Sequence, residues 1–402
     1  MRALLLYPFD NLRDPGWGNS LRMRLVLSYL ADRCDAVQAL SPGPRAARET
    51  VGGVEYVTVP WPRWRSAGWR LRAKWWRATT GLDGVTEREL LANFDRSLAW
   101  QSLHTALAAA VGDADVVFLK YPFWADVVLP LCRRRGTPCV VTAIDVHAVT
   151  AGRRPSATAA ILELELAALR AADMAVTVSE EDRAFFAARG VGTRCLVNPI
   201  DSEACAHPVA PSEAARVRTM FGLGDGPLCL FVGSRIVPNV EAVDELHRIA
   251  AVCPEATFVV VGRCAPPGRH GNLVALGLLP EAELAALYAA ASLLVMPLRS
   301  GTGTSVKFVE ALARGKAIIA SPVAARGYAV NEGEAILEPQ LARFGVQVRA
   351  LLADPRRRAA LGERARARAL EYDYRRVFAP YGALLEGLRR SSTGAMHGVS
   401  GV

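Results

Sequence analysis

The sequence predicts an α/β chain of two domains, each a largely parallel sheet wrapped by helices. Three observations carry that expectation. At 402 residues the chain exceeds one ordinary core. Short apolar runs alternate with longer amphipathic stretches, the pattern of buried parallel strands and crossover helices. A Pro-, Gly- and Ala-rich stretch at 201–226 separates two such series. The expected organisation is a Rossmann-like domain at 1–200, a linker and domain entry at 201–226 and a second Rossmann-like domain at 227–372. A C-terminal helix at 373–390 packs back on the first domain, and 391–402 is a disordered tail.

In chain order, Ala3 to Tyr7 reads as a buried strand, and a helix follows from about Ser20 to Asp32, capped by Asn19 or Ser20. Gly16, Trp17 and Gly18 lie just before it. They read either as a ligand loop at a helix N-terminus or as a turn with Trp17 packed over it. Strands are expected at 36–40 and 54–59. The stretch Trp61 to Arg77 then holds five of the eight tryptophans and six Lys or Arg with no acidic residue. That composition suits an anionic membrane surface or acceptor, or a helix that packs its tryptophans inward while its arginines face water. A helix at about 86–111 leads to a strand at 115–119, whose carboxyl end presents Lys120 and Tyr121. The strand at 139–144 delivers Asp145 and His147. A carboxylate and an imidazole after a parallel strand are well placed to line a ligand crevice, although a lone histidine is commonly structural. A helix at 157–172, a strand at 174–178 with Ser179 as helix cap, and a strand at 195–197 complete the first domain.

The second series starts with Leu228 to Val232, which runs out into Gly233, Ser234 and Arg235 as a phosphate-binding turn would. Strand 257–261 ends in Gly262 and Arg263, a short strand follows at 273–276, and a helix at 280–290 leads to the centre of the sequence. This is Pro297 to Ser321, PLRSGTGTSVKFVEALARGKAIIAS. A strand ends before it, Gly301 and Gly303 open a loop, a helix begins near Thr304, stops at Gly315, and returns as a strand. Glycines admit close approach of an anion, and the first free N–H groups of a helix form its positive end. Thr302, Thr304 and Ser305 add hydroxyls. Lys307 sits in the first turn, where a cation opposes the helix dipole unless an anion is near. Glu310 is three residues on and shares its face. The same residues also read as a Gly-rich turn with a solvated Lys–Glu pair. Beyond residue 340 the chain reads as helical to about Arg390.

Composition narrows the classes. The net charge is +9, from 48 Lys and Arg against 39 Asp and Glu, and much of it lies in Arg-rich C-terminal helices. A basic balance suits anionic ligands. No helix-turn-helix, zinc-finger or RNA-binding signature accompanies it, so nucleic acid is not an expected partner. No apolar run approaches the length that spans a bilayer, and MRALLLYPF enters a strand at once. A cytoplasmic protein, peripheral at the inner membrane face if 61–77 binds lipid, is expected. The eight cysteines include no CxxC pair and read as core residues, without disulfide or metal. No GxGxxG follows the first strand, which disfavours a nicotinamide enzyme.

The chain resembles the GT-B glycosyltransferases, in particular glycosyltransferase family 4, over nearly its whole length. FVGSRIVPNVEAV, FVVVGR, AADMAVTVSEEDRAFF, LADPRRRAALGERAR and above all LPEAELAALYAAASLLVMPLRSGTGTSVKFVEALARGKAIIAS carry the resemblance. It implies retaining transfer of a sugar from a nucleotide diphosphate donor to an acceptor hydroxyl, with no cofactor and no required metal. The second domain would hold the donor and the first most of the acceptor, a glycan, a lipid-linked sugar or a secondary-metabolite core. By the same resemblance Arg235 and Lys307 neutralise the diphosphate, the backbone at Gly303 and Thr304 cradles it, and Glu310 accepts from the ribose hydroxyls. Glu310 matches the second Glu of the family's Glu-x7-Glu motif. The first falls at Thr302, so that carboxylate is absent. Gly233, Ser234, Arg263, Gly301, Thr302 and Ser305 complete the expected donor site. His147 or Asp145 would face the sugar, and Gly16, Trp17, Gly18, Lys120 and Tyr121 the acceptor. A nucleotide-sugar epimerase and a non-catalytic nucleotide-sugar-binding protein on the same fold remain alternatives.

Overall fold

The structure, a computed structural model, describes residues 1–9, 12–13, 18–60, 101–149, 155–301 and 303–397. The chain divides into two compact units. The first comprises Met1–Asp14, Met23–Leu196 and Phe378–Val402, and the second Pro15–Arg22 and Val197–Val377.

In the first unit the strands are β1 (Arg2–Leu6), β2 (Ala36–Gly43), β3 (Ala47–Val51), β4 (Val54–Pro60), β5 (Val116–Lys120), β6 (Cys139–Ala143), β7 (Met174–Thr177) and β8 (Arg194–Cys195). They form one sheet in the order β3-β4-β2-β1-β5-β6-β7-β8. Among the described strands only β3 runs antiparallel, on β4. The central strands are continuous apolar runs, such as VVFLK in β5, because helices cover both faces. Helices α1 (Gly18–Ala31), α2 (Gln101–Asp113), α3 (Ala125–Arg135), α4 (Pro155–Ala171) and α5 (Glu180–Ala187) flank them. The Ser179 hydroxyl caps α5 by accepting from the Asp182 N–H at 3.0 Å. β1 pairs with β2 on one side and β5 on the other, so the direction in which strands are added reverses between β1 and β5. In open α/β sheets, ligands bind outside the carboxyl ends at such a reversal.

The second unit repeats the plan. After α6 (Ser202–Ala206) and α7 (Pro211–Met220) come β9 (Leu228–Val232), α8 (Val237–Ala251), β10 (Thr257–Val261), β11 (Gly268–His270) and β12 (Leu273–Gly277). Next are α9 (Glu281–Ala290), β13 (Leu293–Met296), α10 (Val306–Ala313), β14 (Ile318–Ala320), β15 (Ile336–Leu337), α11 (Phe344–Leu352), α12 (Pro355–Ala369) and α13 (Tyr374–Val377). The sheet order is β11-β12-β10-β9-β13-β14-β15, and among the described strands β11 alone is antiparallel. Here the reversal lies at β9, between β10 and β13. Its core joins Leu228, Leu230, Val259, Leu294, Phe308 and Ile318 from facing elements. Gly315, at φ 64°, ends α10 in a left-handed conformation that favours glycine.

Three expectations are corrected. The stretch 201–226, expected as linker and domain entry, holds two helices, Ser202–Ala206 and Pro211–Met220, and falls within the second unit. The antiparallel edge strands β3 and β11 are additions, and α14 (Ala379–His397) runs past residue 390, where a tail was expected to start. This last helix belongs to the first unit, where Phe378 and Tyr381 pack edge-on against Tyr29 and Phe118. No described helix is long and apolar enough to cross a membrane. Trp61 to Arg77 lies outside the described residues.

Candidate functional site

The second unit brings three loops together at the ends of β9, β10 and β13. Gly233 follows β9 and its N–H donates to the Val261 carbonyl at 2.9 Å. A Cβ on Gly233 would lie 2.9 Å from Cys264 Sγ and 3.1 Å from Asn239 Cβ, so only glycine fits. Gly262, at φ 109°, approaches so closely that its own Cβ would sit 2.1 Å from the Gly233 oxygen. Asn239, fully buried in the first turn of α8, donates through Nδ2 to the Ser234 carbonyl at 2.9 Å and fixes the turn. Arg235 projects from that turn and is exposed, as is Arg263 after Gly262.

The Gly-rich loop after β13 meets α10 at Ser305. Ser305 is the N-cap residue by position but makes no capping bond, and its hydroxyl is buried without a partner. Thr304 is buried, accepting from the Asn198 N–H through Oγ1 at 3.2 Å and from Asn198 Nδ2 through its carbonyl at 3.4 Å. Lys307, the second residue of α10, is largely enclosed. Desolvation pushes its ammonium down to about 8, and the Cys264 thiol, itself raised to about 11 by burial, lies nearby. No ion pair to Lys307 occurs among the described residues within 4.0 Å. The solvated Lys307–Glu310 pair of the alternative reading does not form. Glu310, 19% exposed, instead lies 3.9 Å from Arg314 and beside the buried Tyr288 hydroxyl. Burial raises its carboxyl, and Arg314 and Tyr288 oppose that shift.

Gly301 and Gly303 flank Thr302, which lies outside the described residues, as do Gly16 and Trp17. Gly18 begins α1. Sequence reasoning missed Asn198, Asn239, Tyr288 and Arg326 as contributors, because each acts through a contact distant in sequence or through a backbone group. Among the described residues no group of three or more His, Cys, Asp and Glu could hold a metal ion.

In the first unit His147 and Asp145 leave β6 as expected. Asp145 is partly exposed, and His147 is 7% exposed, its ring edge-on to Phe123 at 4.8 Å and tilted to Tyr121 at 5.6 Å. The turn is held by Glu165 of α4, fully buried, whose carboxylate accepts from the N–H groups of His147 at 2.9 Å and Ala148 at 3.2 Å. Tyr121 has φ 65°, the one non-glycine with positive φ among the described residues. Lys120 corrects the expectation of an acceptor contact. It is fully buried, its ammonium donating to Thr142 Oγ1 at 3.2 Å and to the Tyr381 hydroxyl at 3.5 Å, and lying 5.2 Å from the Tyr381 ring.

Residues 226–354 match the glycosyl transferases group 1 family, and residues 18–201 match the glycosyl transferase 4-like domain. The chain is 28% identical over 312 residues to a GDP-mannose-dependent alpha-(1-6)-phosphatidylinositol monomannoside mannosyltransferase of Mycolicibacterium smegmatis, covering 70% of this chain and 79% of that one. It is 28% identical over 352 residues to D-inositol 3-phosphate glycosyltransferase 1 of Catenulispora acidiphila, covering 76% and 83%. Among solved structures it is similar to a sucrose-phosphate synthase from Thermosynechococcus elongatus, with TM-score 0.71, 17% identity and coverage of 97% and 100%. It is likewise similar to Anabaena HepE in complex with UDP and glucose, with TM-score 0.68, 14% identity and coverage of 96% and 100%. Two parallel-dominated sheets, the glycine turns at the second unit's reversal point and the two family matches, one on each part of the chain, agree: the chain is a glycosyltransferase with the GT-B fold, of family 4 type.

Proposed function

We propose that this chain is a retaining glycosyltransferase whose second unit binds the diphosphate of a nucleotide-sugar at Gly233–Arg235 and Gly303–Lys307. The observation that carries the reading is Lys307, an enclosed ammonium with no ion-pair partner among the described residues, beside an uncapped helix N-terminus. Such a cation is costly to bury alone and becomes favourable when an anion arrives. Departure of the nucleoside diphosphate needs positive charge on its oxygens. Lys307, the exposed guanidinium of Arg235 and the backbone N–H groups at the start of α10 supply it. Glu310 accepts from the ribose hydroxyls, and with Thr302 in place of the first motif carboxylate the donor sugar is held by other groups. On the retained face the departing phosphate takes the acceptor proton, so the reading needs no protein side chain as an obligatory base. The acceptor carries a free hydroxyl on a polyol or glycan. Both curated relatives are named for inositol-bearing molecules, which puts inositol phosphates and phosphatidylinositol mannosides first in an acceptor screen.

A thermal-shift panel of UDP, GDP, ADP, CDP and dTDP and their sugars, with and without EDTA, tests the donor site. At about a hundred times its dissociation constant, a true ligand stabilises by about 2.7 kcal/mol. One nucleotide winning without regard to EDTA identifies the donor class. No shift with any of them overturns the assignment of the diphosphate to this loop.

A further inference from the structure

The Gly-rich loop is braced from behind by a segment that no motif singles out, Arg326-Gly327-Tyr328, just after β14. The Arg326 guanidinium donates through Nε to the Gly303 carbonyl at 2.8 Å and through Nη1 to the Gly301 carbonyl. Gly327, at φ 84°, lies so near Thr304 that a Cβ there would sit 2.1 Å from Thr304 Cγ2. The Tyr328 hydroxyl donates to the Asn198 carbonyl at 2.9 Å, and Asn198 in turn holds Thr304 through two bonds. Thr304 is thus fixed on several sides, by groups that all belong to the second unit.

The orientation of one peptide follows. In a trans peptide the carbonyl of one residue and the N–H of the next point in opposite directions from a shared plane. With the Gly303 oxygen turned to Arg326, the Thr304 N–H points away from Arg326. Loop N–H groups aimed outward in this way make a concavity for anions. We infer that Arg326 is a positioning residue of the donor site: by gripping two loop carbonyls at once it holds the Thr304 N–H toward the diphosphate. The inference rests on the donor site proposed above. It assigns Arg326 no contact with substrate, and it depends on the fork of a guanidinium, which serves two acceptors in fixed geometry where an ammonium is a single point charge.

The test compares wild type with Arg326→Lys and Arg326→Gln, using UDP, GDP and inorganic pyrophosphate as probes in calorimetric titration. Hydrogen exchange over the peptide 297–313 runs alongside. Removing charge-assisted bonds to both carbonyls is expected to weaken nucleoside diphosphate and pyrophosphate binding about ten- to hundred-fold, and lysine is expected to restore little of it. The loop amides are expected to exchange faster in both variants while the rest of the second unit keeps its protection. Near-normal affinity in Arg326→Lys overturns the inference, since charge alone would then suffice. Near-normal affinity in Arg326→Gln overturns it as well. If wild type binds none of the probes, the donor site falls. Unchanged exchange in Arg326→Lys, the variant least disturbing to folding, then removes the brace too.

Discussion

Replacing Lys307 with methionine separates the stability of the second unit from its proposed function, because the enclosure that would prepare the proposed site for an anion penalises the empty protein. The folded ammonium titrates near 8 against an ordinary 10.5, which corresponds to about 3 kcal/mol of destabilisation at neutral pH, an upper bound because the site relaxes. Lys307→Met keeps the aliphatic stem and removes the charge, so the unliganded variant should be more stable than wild type by up to that amount. Each kcal/mol moves the Tm of a domain this size by about 2–4 °C. The sign with pH is fixed. Below about pH 8 the lysine is charged in both folded and unfolded states, and the gap between variant and wild type is full. Between about 8 and 10.5 the unfolded chain holds a proton that the folded chain has lost, so wild-type stability rises and the gap closes. The assay is thermal unfolding from pH 6.5 to 10.5, with and without the nucleotide that stabilises wild type. The variant should gain nothing from that nucleotide. A variant less stable than wild type at pH 7 would refute the burial cost, and one that keeps the full nucleotide shift would refute the assignment of Lys307 to the diphosphate.

Two further predictions concern groups that only shape the site. Gly262→Ala places a methyl 2.1 Å from the Gly233 oxygen on a backbone at φ 109°, so a loss of at least about 2 kcal/mol in denaturant unfolding is expected, with nucleotide binding weakened in the fraction that folds. Unchanged stability would contradict the close approach of the two turns. In the first unit, Glu165→Ala leaves the buried N–H groups of His147 and Ala148 without their acceptor, a loss of about 2–5 kcal/mol, while Glu165→Gln retains one acceptor oxygen and recovers part of it. Equal stability of the two variants would show that the carboxylate does not hold the His147 turn.

The readable parts of this chain are those whose cause is local. Strands such as LCLFV and VVFLK declare themselves because both faces are covered, and the βαβ unit around Pro297 to Ser321 follows from glycines and a strong helical run. The edge strand ARETV escaped notice because every residue in it is exposed and only its antiparallel pairing with β4 keeps it extended. The site divides the same way. Gly233, Arg235, Gly303 and Lys307 are legible from position after a strand or in a first helical turn. Asn198, 106 residues before Thr304, has no local mark. Lys120 shows why strand-end position alone misleads. Its place at the carboxyl end of β5 is correct, yet Tyr381, 261 residues on, closes over the ammonium and turns an expected ligand contact into an interior one. Glu310 carries the same lesson within one helix. Lys307 at i−3 and Arg314 at i+4 both share its face, and helical spacing permits either partner. Tyr288, brought in by α9, lies with its ring 5.3 Å from the Arg314 guanidinium, while Lys307 interacts electrostatically with Cys264, whose Sγ borders the Gly233 turn. That division leaves the cation of α10 uncommitted and its carboxylate already supported, which is the arrangement a site needs if one group is to meet phosphate and the other a neutral hydroxyl.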